Sequence, residues 1–298
     1  MQKSLAILGA GRVGRALGRR FRELGWKIGA VSARNPACAR RAVRSIGAGK
    51  PCSGVPAQAL ASRVILITTP DDAISEVAHE LARVGQSLLQ GKIVLHTSGA
   101  VDSTALRPLA EAGASVGSMH PLQSFSGIGV PPLEGKVFAI EGDRTAVRVA
   151  SQMARALGGS PMPVPSSEKP LYHAAASMAA GHVLAIEEAA TRLLMHLGMR
   201  RREAVRALLP LTRQVLDNFE RLGPRSAWTG PLSRGDLKVV AAHIAALAAS
   251  PDEFGSAYAA LNRLAARVLE PNPGRMLAGL DKISSNRKTK IAATGSAA

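Results

Sequence analysis

The sequence predicts an α/β domain built on a doubly wound, mainly parallel sheet, followed by an all-α domain. Three observations lead there. In the first half, short apolar runs alternate with amphipathic stretches at the spacing of βα units. One run, Arg63-Val64-Ile65-Leu66-Ile67-Thr68, is apolar through its centre, as a strand covered on both faces must be. After about residue 165 the short runs stop, and long Ala- and Leu-rich segments of helical period replace them. The length of 298 residues suits two domains of ordinary size. With 46% hydrophobic but only 3% aromatic residues, the cores belong to close-packed helices and α/β layers rather than to an aromatic-rich sandwich.

Taken in order, strands are expected at residues 4–8, 27–32, 63–68, 92–96, 115–119 and 136–140. Helices are expected at 12–24, 36–46, 72–84 and from about 103. Asp71 or Asp72 is placed to cap the third helix. The stretch Pro161-Met162-Pro163-Val164-Pro165 reads as a linker, dividing a first domain, 1–165, from a helical domain, 166–283. Within the second, helices are expected at 168–197, 201–222, 236–249 and 252–269, with a break at Gly223-Pro224. Residues 284–298 are polar and basic and read as a frayed, flexible tail.

The net charge of +17 does not by itself mean nucleic-acid binding. The arginines are scattered along helices, without interleaved aromatics or a helix-turn-helix, RRM or zinc-finger pattern. Solvated helix faces account for them, and a basic protein also favours phosphorylated ligands. No stretch reads as a membrane span. The first strand starts almost at Met1, which leaves no room for a signal peptide. Cys38 and Cys52 show neither metal-ligand spacing nor a disulfide framework. The expectation is a cytoplasmic protein with no metal, no membrane and no nucleic-acid partner.

Gly9-Ala10-Gly11-Arg12-Val13-Gly14 fits G-x-G-x-x-G between an apolar strand and a helix. In that setting Gly9 allows the tight turn, Gly11 lets backbone approach a pyrophosphate, and Gly14 lets helix and strand pack closely. Amide groups at the helix start would face the phosphates. A dinucleotide that carries only a ribose hydroxyl is usually met by an acid about 20 residues further on. Here the second strand ends in Ser32-Ala33-Arg34-Asn35. Arg34 suits a 2′-phosphate, with Ser32 and Asn35 adding hydrogen bonds, so NADP is expected over NAD. Ligands sit beyond the carboxyl ends of the strands, which adds Thr69, Pro70, Thr97 and Ser98 to the expected cofactor lining.

Four further motifs follow in order: His96-Thr97-Ser98-Gly99, His120-Pro121-Leu122-Gln123-Ser124-Phe125, Tyr172-His173-Ala174-Ala175-Ala176 and Thr229-Gly230-Pro231-Leu232-Ser233-Arg234-Gly235-Asp236. With the glycine motif, this succession resembles the bacterial family that joins a Rossmann-like domain to a helical domain of unknown function, DUF2520. That family is similar in plan to pyrroline-5-carboxylate reductases, the F420-dependent NADP reductase and the 6-phosphogluconate dehydrogenase class. The resemblance implies an all-helical second domain that commonly dimerises and an active site in the cleft between domains. One departure stands out. Relatives tend to carry Ser-Asn where this chain has Ala180-Gly181.

His120, at a strand end before a proline, could hydrogen-bond a substrate carbonyl or give it a proton as hydride arrives. It could equally tie two loops together. His173, Ser177 and Gly181 recur every fourth residue, which on an unbroken helix puts them on one face. That face could border a cleft or form a helix seam; His173 is the catalytic candidate and Ser177 a substrate contact. Arg234 could grip an anionic substrate group, and Asp236 reads as a helix cap. The expected function is hydride transfer between NADP and a small carbonyl or imine substrate. The alternative is a non-catalytic NADP-binding sensor or regulator.

Overall fold

The structure is a computed structural model that describes the backbone of residues 3–295. The chain divides into compact units Met1–His182 and Val183–Ala298. The first unit is built on strands β1 (Ser4–Leu8), β2 (Lys27–Ala33), β3 (Lys50–Ser53), β4 (Val64–Ile67), β5 (Ile93–His96), β6 (Ser115–Pro121), β7 (Val137–Gly142) and β8 (Ser160–Pro163). They form one sheet in the order β3-β2-β1-β4-β5-β6-β7-β8. All pairings are parallel except β6 with β7. The connections are helices α1 (Arg12–Glu23), α2 (Pro36–Ile46), α3 (Ile74–Gly85), α4 (Arg107–Glu111) and α5 (Arg144–Ala156). Strand order reverses between β1 and β4, which opens a crevice at their carboxyl ends.

Alternation along the central strands builds two cores. Leu5, Ile7, Val64 and Leu66 face the layer of Leu17, Phe21, Ile46 and Met153. Ala6, Leu8, Ile65 and Ile67 face Ile74, Leu81 and Leu109. Both faces of β1 and β4 are therefore buried, which is why these strands read as unbroken apolar runs. Each large side chain removed from water contributes about 1.5–3 kcal/mol.

Two strands were not expected from sequence. β3 is short and contains Pro51; β8 occupies the segment that reads as a linker. Both lie at edges of the sheet, where proline is tolerated. In β8, Ser160 N and Val164 N donate to Lys136 O and Ile140 O, so Pro161 and Pro163 take the outward-facing positions. Gly54 N donates to Ala33 O, which gives Pro51 the same outward parity. The first unit thus runs past Pro165 to His182 and includes helix α6 (Lys169–Ser177). At α3, a 3-10 turn over Asp71–Ala73 comes first, and neither aspartate caps the helix with its side chain.

The expected single helix over 168–197 is interrupted. A π turn at Met178–His182 separates α6 from α7 (Val183–His196). The second unit contains α7, α8 (Arg201–Ala227), α9 (Leu237–Ala246), α10 (Asp252–Leu269) and α11 (Gly274–Gly295). The break at Gly223 is present as a non-helical residue with φ 78°, ahead of Pro224. Leu232, Val240, Ile244, Ala266 and Leu280 form the core of this unit. Where a frayed tail was expected from residue 284, the backbone continues as α11 to Gly295; residues 296–298 lie outside the described residues. Among the described residues no helix is long and apolar enough to cross a membrane.

Candidate active site

The glycine motif turns β1 into α1 at the crevice. Gly9 has φ 114°, a conformation that favours glycine. A Cβ on Gly9 would come within 2.5 Å of the Thr68 carbonyl carbon, and one on Gly14 within 2.3 Å of Gly9 O. Those two glycines are therefore required by the fold itself. Gly11 differs, because the nearest protein atom to its Cβ position is Thr68 O at 3.9 Å. Its bareness leaves room for something outside the chain. α1 begins at Gly11 with no side-chain cap and no acid in its first turn, so its amide end is kept for an anion.

Gly9 and Gly11 open onto a cavity of about 420 Å³ that Ser32, Arg34, Asn35, Thr69 and Pro70 also line. Ser32 is buried, and its carbonyl accepts from Gly9 N at 3.0 Å. Arg34 is exposed, at the mouth of this wall. Asn35 caps α2 by accepting from Ala37 N at 2.8 Å, which leaves its amide nitrogen as a donor. Thr69 Oγ1 is buried without a hydrogen-bond partner, which fits a site completed by a ligand. Glu76 and Glu80 of α3 line the opposite wall. The glycine turn, the open amide end, Arg34 and the orphan hydroxyl together fit a phosphorylated dinucleotide.

Further along the sheet, β6 and α6 bring His120, Tyr172 and His173 together. His120 Nδ1 lies 2.8 Å from the Tyr172 hydroxyl. The His120 ring meets Tyr172 edge-on at 5.6 Å and His173 edge-on at 5.8 Å. Gly99 makes this approach possible, since a Cβ there would sit 2.6 Å from His173 Cδ2 and 3.0 Å from His120 Nε2. Burial, then the facing His173, then Lys169 lower the His120 pKa to about 4. Burial raises the Tyr172 hydroxyl to about 12. Both groups are neutral near pH 7.

Below them is a buried polar layer. His96 is fully buried; its Nδ1 accepts from Ser98 N at 3.2 Å and its Nε2 donates to Asp102 O at 3.2 Å. Burial, followed by the charge of Lys169, lowers its pKa to about 3, so it is a neutral pin for the turn after β5. Lys169 Nζ donates to Ser98 O at 3.0 Å and to Ser118 Oγ at 2.6 Å, beside Glu141.

Other expected residues are placed differently. Arg12 lines a separate cavity with Arg15 and Gly127, and Val13 packs against the first core. Thr97 is half-buried, and its amide donates to Ile67 O at 3.2 Å. The Ser98 hydroxyl is buried and accepts from Ala100 N and Val101 N, holding the turn after β5. The π turn separates Ser177 from Gly181, so the four-residue spacing no longer puts them on one face. Arg234 Nε donates to Asp236 at 3.1 Å, and Asp236 makes that pair instead of a side-chain cap. Sequence reasoning missed Lys169, Gly99 and Tyr172 as parts of the cluster. A lysine one helical turn before His173, followed by Pro170 and Leu171, was the available signal. Among the described residues no group of His, Cys, Asp or Glu could hold a metal ion.

Comparison with known proteins agrees with this architecture. Residues 1–121 match a family described as a Rossmann-like domain, and residues 136–265 match the domain of unknown function DUF2520. No curated protein matches the sequence. Among solved structures, a proposed NADP oxidoreductase from Bacteroides fragilis, BF3122, aligns with TM-score 0.74 at 20% identity, over 88% of this chain and 97% of that one. An imine reductase from Pseudomonas sp. aligns with TM-score 0.66 at 19% identity, over 94% and 100%. A reductive aminase from Aspergillus terreus, solved with NADPH and ethyl-5-oxohexanoate, aligns with TM-score 0.60 at 18% identity, over 97% and 95%. At these identities the likeness establishes the fold.

Proposed function

We propose that this chain, which joins a Rossmann-like domain to a DUF2520 domain, is an NADP-dependent oxidoreductase acting on a small carbonyl or imine substrate. The observation that carries the reading is the cavity at the glycine turn, with Arg34 and no acid at the end of β2. The fold shared with an imine reductase and an NADPH-bound reductive aminase adds support. NADPH, when bound, supplies the hydride. Gly9, Gly11 and the first turn of α1 hold its pyrophosphate, and Arg34, Ser32 and Asn35 hold the 2′-phosphate.

The chain's own chemistry lies in the histidine cluster. With the Tyr172 hydroxyl donating to His120 Nδ1, Nε2 carries the hydrogen and offers it to a carbonyl oxygen or imine nitrogen. A neutral imidazole hydrogen-bonds well but gives up its last proton poorly. His173, edge-on to that ring, carries the proton in. Arg234 keeps its terminal nitrogens for an anionic substrate group, and Ser177 is a further substrate contact in this proposal. A homodimer in the cytoplasm completes it. Exposed Leu211, Phe219 and Leu222 of α8 supply the apolar surface for the dimer.

Calorimetric titration with NADPH and, separately, NADH tests the reading. Tighter binding of NADPH, abolished by Gly11→Val, is expected, followed by NADPH consumption with a carbonyl or imine. Absence of binding to either dinucleotide overturns it. Binding without turnover across such substrates favours the sensor reading, which the Ala180-Gly181 replacement of a polar pair supports.

A further inference from the structure

Behind the imidazole pair lies a charge that the reading above leaves unused. Lys169 is 2% exposed, and lysine is almost never buried so fully unless paired. Its partner, Glu141, is 5% exposed, with Oε1 3.8 Å from the ammonium. Glu141 Oε2 accepts from the hydroxyls of Ser103 and Ser166, both at 2.9 Å, while Oε1 has no hydrogen bond. A buried ion pair is a poor stabilising device, because desolvation offsets the attraction. Its placement says more than its energy.

The ammonium touches each segment that builds the cluster. Ser118, its acceptor on β6, is two residues before His120. Ser98, its carbonyl acceptor, precedes Gly99, on whose bare Cα the two imidazoles converge. Lys169 itself starts α6, three residues before Tyr172 and four before His173. We propose that Lys169 is a positioning residue: its ammonium joins the turn after β5, strand β6 and helix α6 in the register that assembles His120, Tyr172 and His173, and it fixes a positive charge behind His120. The catalytic meaning of that role rests on the hydride-transfer reading; the role itself does not need a substrate.

The charges around the pair are consistent with this. Glu141 from β7, Asp102 from the turn after β5 and Asp71 from the turn before α3 favour the charged lysine, against a burial effect that lowers its pKa. His120 faces His173 and Tyr172 from α6, and Lys169 and His173 both oppose its protonation. Lys169 in turn opposes protonation of His96. Lys169 thus adds to burial and to His173 in keeping His120 a neutral hydrogen-bond donor instead of an imidazolium that would repel the lysine.

The test is a pH titration of the full chain labelled with 15N-histidine, followed by long-range proton–nitrogen NMR, with His120 assigned through His120→Gln. In the wild type His120 is expected to stay neutral down to about pH 4. A wild-type His120 that titrates near 6.5, the ordinary histidine value, overturns the proposal before any variant is made. In Lys169→Met the titration is expected to move to higher pH. Lys169→Gln removes the charge but keeps donors for Ser98 and Ser118, and is the second variant should methionine not fold. An unchanged His120 titration in either folded variant overturns the role, which a merely structural lysine would also predict. Calorimetry with NADPH on the same samples keeps the two ideas apart. Failure of the wild type to bind NADPH removes the hydride-transfer reading, while the His120 titration still decides the role of Lys169.

Discussion

Arg34 and Lys169 illustrate two kinds of information in single residues. Arg34 stands two positions after Ser32 at the end of a recognisable strand, so its proposed role as a phosphate contact rests on local sequence alone. Charge-assisted hydrogen bonds to a phosphate contribute about 1.5–3 kcal/mol. Arg34→Ala is therefore expected to weaken NADPH by roughly tenfold to a hundredfold and to leave NADH almost unchanged, by calorimetry. Equal losses for both dinucleotides would refute the 2′-phosphate assignment. Gly9, Gly11 and Gly14 were legible for the same reason, since one turn fixes all three. Lys169 was not, because its partner Ser98 lies 71 residues away and its significance exists only in the folded register. Tyr172 meets His120 across 52 residues and was hidden in the same way.

Strands and helices were legible where they are long or fully buried, as β1 and β4 are, and illegible where they are short and carry proline, as β3 and β8 are. The break in the long helix was hidden too, since a π turn changes hydrogen bonding without changing residue type. Strand β5 buries His96 and strand β6 partly buries His120, both in neutral form, and this has a consequence for stability. The folded pKa values, about 3 for His96 and about 4 for His120, lie below the ordinary 6.5. The unfolded chain therefore binds more protons as pH falls below 6.5, and folding stability drops with it. The slope is about 1.4 kcal/mol per pH unit for each histidine in that window. Urea midpoints measured between pH 7 and about 5.5 should fall accordingly, above the range where carboxylates with lowered pKa values, such as Glu188, contribute. A flat profile would mean that the two rings titrate in the folded protein as they do in the unfolded chain.

At the scale of the whole molecule, the division into an α/β unit and a helical unit was legible from the change of period, but its position was not. The contact boundary falls at His182 because β8 joins the sheet and α6 anchors to it through Lys169. The helical unit leaves Leu211, Phe219 and Leu222 exposed at 63%, 56% and 55%. Light scattering on the purified protein is expected to give the mass of a dimer, and Phe219→Glu with Leu222→Glu to give the monomer. A monomeric wild type would remove the dimer from the proposal. The two rims of the sheet differ. At the β8 rim Pro161 and Pro163 act as chain stoppers in a hydrogen-bonded polymer, offering no amide to a ninth strand, whereas at the β3 rim Pro51 removes one outward amide and Ser53 keeps one. The sheet is thus a polymer terminated by proline at its β8 end. However crowded its surroundings, a neighbouring copy finds no amide donor at that end for a strand of its own.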